Sequence, residues 1–193
     1  MARGRHALVL MVAAALAACG DEGPAENGNV QALVKDPDAP SSYDGTLSGN
    51  INVSISQDGN TWIDLGSANG ITIVLQSPTG DSTNVHGQVA RSAGNYARVR
   101  LTVRDGKATL LSGSRVGNTT LSSTKDITVG GADDLVVIDK STSFAVVAGT
   151  TGRTSIIFDL NSEIWLTESA VQTGQVEDQP IQQAVTVSTR RES

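Results

Sequence analysis

The chain has 193 residues, a formal net charge of −6, 38% hydrophobic and 3% aromatic residues, and one cysteine. An acidic balance of this kind argues against nucleic acid, or charge-driven adhesion to anionic lipid, because both need basic patches. A single cysteine excludes an internal disulfide, and the length suffices for one domain of about 130 to 150 residues with a core that needs no covalent staple.

The first element is a targeting segment. Arg3 and Arg5 precede an apolar stretch from Ala7 to Ala18 that ends in Leu16-Ala17-Ala18-Cys19-Gly20. A basic head, an apolar run and a small-residue cleavage site follow in the order of a signal peptide, and roughly a dozen apolar residues fall short of the about 20 that span a hydrocarbon core. Leu-Ala-Ala-Cys resembles the bacterial lipobox. That resemblance implies cleavage before Cys19, a diacylglycerol on its thiol and an acyl chain on the new amino group. Two or more chains hold a protein on a bilayer where one does so only marginally. Residues 1–18 are thus expected to be a lipoprotein signal peptide, and the mature protein to be exported and anchored by lipid. Gly20 after the cysteine favours the outer membrane by the sorting rule of enteric bacteria. The competing reading is an ordinary secreted protein cut after Ala17 or Ala18. Processing removes Arg3, Arg5 and His6 and leaves 12 basic against 20 acidic residues, a net charge of −8.

Residues 19–45 are expected to be the lipidated cysteine and a flexible tether, with Pro24, Pro37 and Pro40 among six acids opposed only by Lys35. Such a composition buries too little apolar surface to offset its ordering entropy, and a coil of 26 residues has a dimension of about 30 Å. Residues 46–189 are expected to form the folded domain and residues 190–193 a disordered tail.

Within the domain, short runs alternate with period two. Leu47, Ile51, Val53 and Ile55 share one parity, with Asn52 and Ser54 on the other; Val99, Leu101 and Val103 alternate with Arg98, Arg100 and Thr102. Each run predicts a half-buried strand. Further strands are predicted at 71–76, 108–111, 125–129, 135–138, 143–148, 154–160, 163–166 and 181–187. Asp105-Gly106 between two such runs predicts a tight type I′ hairpin, whose central residues need positive φ, and Asp58-Gly59 and Asn69-Gly70 repeat the device. No helical period extends beyond two turns. Eight to ten short antiparallel strands fit an all-β, two-sheet β-sandwich, immunoglobulin-like or transthyretin-like.

With Phe and Trp scarce at two each, the core is expected to rest on Val, Ile, Leu and Ala. Trp62, Trp165, Phe144 and Phe158 fall on predicted strands, where packing is the plain role; the alternative makes Trp62 and Tyr96 exposed rings that stack a sugar. The run Ala93-Gly94-Asn95-Tyr96-Ala97-Arg98-Val99-Arg100-Leu101 resembles a family of uncharacterised domains of exported bacterial and archaeal lipoproteins, in which a Gly-x-Tyr turn feeds an Ile/Val-Arg-Leu strand. The opening Gly45-Thr46-Leu47 strand with its Trp62 hairpin, and the late 154–160 strand, are similar to the same plan, over roughly residues 45–165. This resemblance implies a β-sandwich and supplies no activity and no catalytic residue.

Chemistry is thinly represented. His86 is the one histidine after processing, no Gly-x-Ser-x-Gly elbow exists for a Ser-His-Asp arrangement, and zinc sites of clustered His and Cys have no donors. Asp133, Asp134 and Asp139 flank a predicted strand and are candidate Ca²⁺ ligands, since that ion takes six to eight oxygens; strand-end acids are ordinarily just solvated. Arg98, Arg100 and Arg104 share one face of a strand and make a basic stripe that either meets an acidic partner or pairs across strands with Asp and Glu. The expectation is therefore a lipid-anchored cell-envelope protein, a non-enzymatic binding or structural module without a cofactor beyond the lipid on Cys19. Its partners would be the membrane through that lipid and an envelope protein or glycan. The alternative is an envelope carbohydrate-binding accessory or a hydrolase using loop carboxylates.

Overall fold

The computed structural model describes residues 26–36, 43–76, 81–149 and 152–193. The expected signal peptide, Cys19 and residues 20–25 and 37–42 of the expected tether lie outside the described residues. The strands, in chain order, are β1 (Asn27–Lys35), β2 (Gly45–Ser56), β3 (Ile63–Leu75), β4 (Thr83–Ser92), β5 (Gly94–Leu110), β6 (Arg115–Val116), β7 (Thr119–Thr120), β8 (Lys125–Val129), β9 (Leu135–Val146), β10 (Arg153–Asp159), β11 (Gln175–Val176) and β12 (Thr186–Glu192). Three short helices, α1 (Ser162–Trp165), α2 (Glu168–Thr173) and α3 (Asp178–Ala184), lie between β10 and β12.

Two sheets pack into the expected all-β sandwich. One runs β12-β10-β1-β4; the other runs β11-β8-β5-β2-β3, with β9 also paired to β5. Alternation turns Val53 and Ile55 of β2, Leu101 of β5 and Ile138 of β9 inward, where they meet Val30 and Val34 of β1 and Ile156 and Phe158 of β10. Burying one such side chain contributes about 1.5–3 kcal/mol, and this aliphatic layer carries the fold with few aromatics, as expected. Phe144, Phe158 and Trp165 are all in the core.

The tether assignment is corrected by β1. Asn27–Lys35 is an interior strand, parallel to β10 with Val30 opposite Thr154 and Val34 opposite Phe158, and antiparallel to β4. Val30, Gln31, Ala32, Leu33 and Val34 are all buried, Gln31 donating to Ser155 Oγ at 2.7 Å. A strand covered on both faces reads as a short continuous apolar run without alternation, and acidic, Pro-containing flanks hid it in the average composition. The sheets are accordingly mixed rather than purely antiparallel, since β8 and β11 also pair in parallel. The expected tail at 190–193 is corrected too: β12 pairs with β10 as far as Arg153 opposite Glu192. The folded unit runs from Asn27 to Glu192 instead of 46–189.

Two expected hairpins are bulges. β5 passes unbroken through Asp105-Gly106, with Asp105 at φ 54; the strand pairs β9 on one side of that point and β8 on the other. Asn69-Gly70 is likewise inside β3, with Gly70 at φ 64. A left-handed residue serves a tight turn and a bulge equally well, so the dipeptide alone does not distinguish them. Asp58-Gly59 does lie in a connection, the β2–β3 loop, with Gly59 at φ 79. Residues 163–166 and 181–187, expected as strands, are α1 and the end of α3 leading into β12. Asn161, at φ 42, turns the chain out of the sheet after β10. In α3 the three-residue spacing of Ile181 and Ala184 puts both against the core.

Candidate functional site

Along the middle of β2, β3 and β5 the residues that point away from the core are polar and stand in cross-strand rows. Ser54 is opposite Asp64 on one side and Arg100 on the other; Asn52 is opposite Ser67 and Thr102; Asn50 is opposite Arg104. With β2 as floor and β3 and β5 as sides, the face forms a solvent-open groove of about 470 Å³, with Trp62 at one end and Arg104 and Asn69 at the other. The two bulges fall at one level of the sheet, and Asn50 ties them together. Its Nδ2 donates to Asp105 Oδ2 at 2.9 Å and its Oδ1 accepts from Gly70 N at 3.1 Å. Bulges bend strands and sharpen their twist, so the shape of the groove depends on this one amide.

The floor is internally bonded. Asn52 Nδ2 donates to Ser67 Oγ at 2.9 Å, and the Ser54 hydroxyl donates to the Asp64 carboxylate. At the Trp62 end, the Arg100 guanidinium lies over the indole, 3.8 Å from its centroid. The same guanidinium bonds Asp139 Oδ2 at 3.0 Å, while Arg98 bonds Asp139 Oδ1 at 2.8 Å. The basic stripe is thus split. Arg98 and Arg100 pair across strands with one carboxylate, as the plainer expectation for the stripe held, whereas Arg104 is exposed and has no such partner among the described residues.

Tyr96 does not join the groove, which corrects its assignment as a contact residue. The inward parity slips between Val99 and Tyr96, where the pairing with β9 shifts register. Tyr96 is 1% exposed, stacked on Phe144 with ring centroids 5.4 Å apart, and its hydroxyl donates to Ser92 O at 2.9 Å. Of the calcium candidates, Asp139 is held by two arginines on the outer face, and Asp133 and Asp134 sit at the β8–β9 connection; no group of three potential ligands occurs among the described residues. His86 is buried on β4, opposite Ala32 of β1, and desolvation lowers its pKa below the ordinary value of 6.5.

One polar cluster had no sequence signal. Asp36, directly after β1, is fully buried and accepts from Gln76 N at 2.7 Å and Ser162 N at 2.8 Å, and the Ser162 hydroxyl also donates to it. Tyr43 OH donates to Ser162 Oγ at 2.8 Å. Asp36 does for the start of α1 what a local cap residue does elsewhere, because Asn161 makes no side-chain cap bond. Burial pushes the Asp36 carboxyl and the Tyr43 phenol above their ordinary pKa values, for Asp36 against the hydrogen bonds it accepts from Ser162. With Ser162 only 1% exposed, this cluster closes the fold and offers nothing to a ligand.

Asn50, Asn52, Ser54, Asp64, Ser67 and Asn69 were not anticipated as groove residues. The even-numbered polar positions of β2 were the visible sign, but only the pairing of β2 between β3 and β5 brings them to Arg100 and Trp62. No family model matches the chain, and no curated protein and no solved structure matches it either.

Proposed function

We propose that the chain is an exported cell-envelope binding module, held on a membrane by diacylglycerol and N-acyl groups on Cys19, whose groove takes an acidic saccharide of the envelope. The observation that carries this reading is the convergence of Trp62, Arg100 and Arg104 with the amides of Asn50, Asn52 and Asn69 on one open face. Sugar hydroxyls are each donor and acceptor, and amides, hydroxyls and carboxylates at cross-strand spacing offer complementary pairs. Arg100 is already fixed by Asp139 and by the indole, which leaves it a positioned donor rather than a free charge. Arg104 has no neutralising carboxylate among the described residues and supplies the cation for an acidic group on the ligand, for which the planar guanidinium is well suited.

A glycan array with acidic and neutral oligosaccharides tests this, followed by titration of hits while reading tryptophan emission. Trp165 is 1% exposed, so a ligand-dependent change reports Trp62. Binding of acidic saccharides that weakens about tenfold or more in Arg104→Gln, the loss expected for one charge-assisted pair, supports the reading. An array without hits, equal binding in Arg104→Gln, or hydrolysis abolished by Asp64→Asn would overturn it.

A further inference from the structure

We propose that the domain rests on the anionic phospholipid surface by the end of the sandwich at which β1 begins, with Arg153, Arg190 and Arg191 against the headgroup phosphates; this rests on the reading of Cys19 as the lipid-bearing residue. The pairing registers define that end. Asn27 is opposite Ser92, Gly94 opposite Val146, Ser56 opposite Arg98 and Arg153 opposite Glu192. The starts of β1, β5 and β10 therefore share it with the ends of β2, β4, β9 and β12. Backbone bonds from Ala93 N to Glu26 O at 2.8 Å and from Gly149 N to Asn27 O at 3.1 Å fix the entry of the chain against the two neighbouring turns.

The length of chain outside the fold sets the distance. With β1 in the sheet, only residues 20–26 separate Cys19 from Asn27. Seven residues span at most about 25 Å when fully extended and about 15 Å as a coil, half the separation expected for a 26-residue tether. An end held this close reaches the headgroup layer in any upright arrangement of the domain.

Charge is distributed to match. Arg91, Arg153, Arg190 and Arg191 belong to this end, against Glu26, Asp58 and Glu192. Glu192 bonds both Arg153 and Arg190, and Arg191 is exposed beside Gly152, so the β10–β12 corner keeps a net positive charge. At the opposite side Asp44 and Asp81 precede β2 and β4, and Asp126, Asp159, Glu163 and Glu168 lie in β8, β10, α1 and α2, outnumbering Lys35, Lys107, Arg115 and Lys125. The net charge of −8 left after processing thus resides mostly away from this corner, and repulsion of the acidic side from an anionic bilayer orients the domain in the same sense as attraction of the arginines. Asp21 and Glu22 in the connection oppose approach, an effect the lipid itself overcomes. Val147, 39% exposed in the β9–β10 connection, adds an apolar contact at this end. In this orientation the Trp62 end of the groove is nearest the bilayer and the Arg104 end faces away.

Hydrogen exchange tests the proposal. The mature chain from Cys19 onward is attached to vesicles of phosphatidylglycerol and phosphatidylcholine at roughly one to two, enough anionic lipid to attract surface arginines. Attachment is by its own lipid or, where mass spectrometry finds no acyl chains, by a maleimide phospholipid on the Cys19 thiol. Missing acyl chains overturn the lipid reading by themselves, and the exchange experiment still decides the docking. Expected is at least about fivefold slower exchange, relative to the chain free in solution, in the 57–62 loop, at 147–149 and along β12, with no change at 111–124. The triple variant Arg153→Gln, Arg190→Gln, Arg191→Gln, checked to exchange like the parent in solution, is expected to lose the protection. Equal protection of both ends, protection of 111–124 alone, or protection unchanged in the triple variant would overturn it.

Discussion

Asp36 is the position at which a single substitution reads out the most of the fold's polar bookkeeping. Replacing it with Ala leaves Gln76 N–H and Ser162 N–H without an acceptor in a site closed to water, and removes the acceptor of the Ser162 hydroxyl to which Tyr43 donates. Each orphaned buried donor costs about 1–3 kcal/mol. Against this, the variant no longer buries a carboxylate, whose desolvation dominates the upward shift of its pKa. The net expectation for Asp36→Ala is a loss of about 2–4 kcal/mol, out of the 5–15 kcal/mol typical of a domain, or roughly 5–15 °C in Tm at this size. Asp36→Asn keeps the volume and one acceptor and is expected to cost about 1–2 kcal/mol. The pH dependence separates the two contributions. Because the folded pKa lies above the ordinary carboxyl value of 3.8, the folded state binds the proton more tightly than the unfolded chain. The contribution of Asp36 is then fullest below the unfolded pKa and declines as pH rises through the folded one. The gap between parent and Asp36→Asn should therefore narrow from pH 4 upward, measured by urea unfolding across that range. An Asp36→Ala cost under about 1 kcal/mol would refute the assignment of the carboxylate as the cap of α1.

Gly28→Ala is expected to destabilise the sandwich by about 2 kcal/mol or more, because an added Cβ would collide with the backbone oxygen of Val147; thermal unfolding measures this. Glu192, with a pKa brought down to about 2 chiefly by its bonds from Ser155, Arg153 and Arg190, contributes attachment of β12 that is present above the unfolded pKa and lost as pH falls toward 2. Amide protection along β12, taken relative to the intrinsic exchange rate at each pH, should fall in acid in the parent and be reduced already at neutral pH in Glu192→Gln. Deleting residues 20–36 as though they were linker is expected to abolish cooperative unfolding by circular dichroism, since β1 has two strand partners and no substitute.

The strands that alternate were legible, and those that do not were not. β2 and the Arg98–Val103 part of β5 each have one face on the core and one in water, so their period of two survives in the sequence. β1 has both faces covered, and its five consecutive buried residues leave no period to detect. The same distinction explains the site. The arginine stripe was visible because its three residues lie on one strand, but whether each charge is paired depends on β9, which brings Asp139 to Arg98 and Arg100 and the uncharged Leu135 to Arg104. Tyr96 shared parity with the stripe and would have belonged to it had the alternation continued; the slip before Val99 sends the ring inward, and a slip of one residue exchanges the faces of a strand.

Asn50 joins these threads. A Gly after Asn or Asp marks a left-handed residue, and in an isolated pair of strands that is best used as a turn. Here the two marks, Asn69-Gly70 and Asp105-Gly106, flank the same residue of the strand between them, and the two atoms of its amide meet one bulge each. Such a pairing makes the strands long, since neither signal ends one, and it places the bend at the floor of the groove. An apolar side chain at 50 would satisfy neither bulge, so Asn50→Leu is expected to disturb the groove more than the core. Trp62 emission should shift while the burial of Trp165 is retained, and a variant in which both signals move together would show that the bend belongs to the core and not to Asn50.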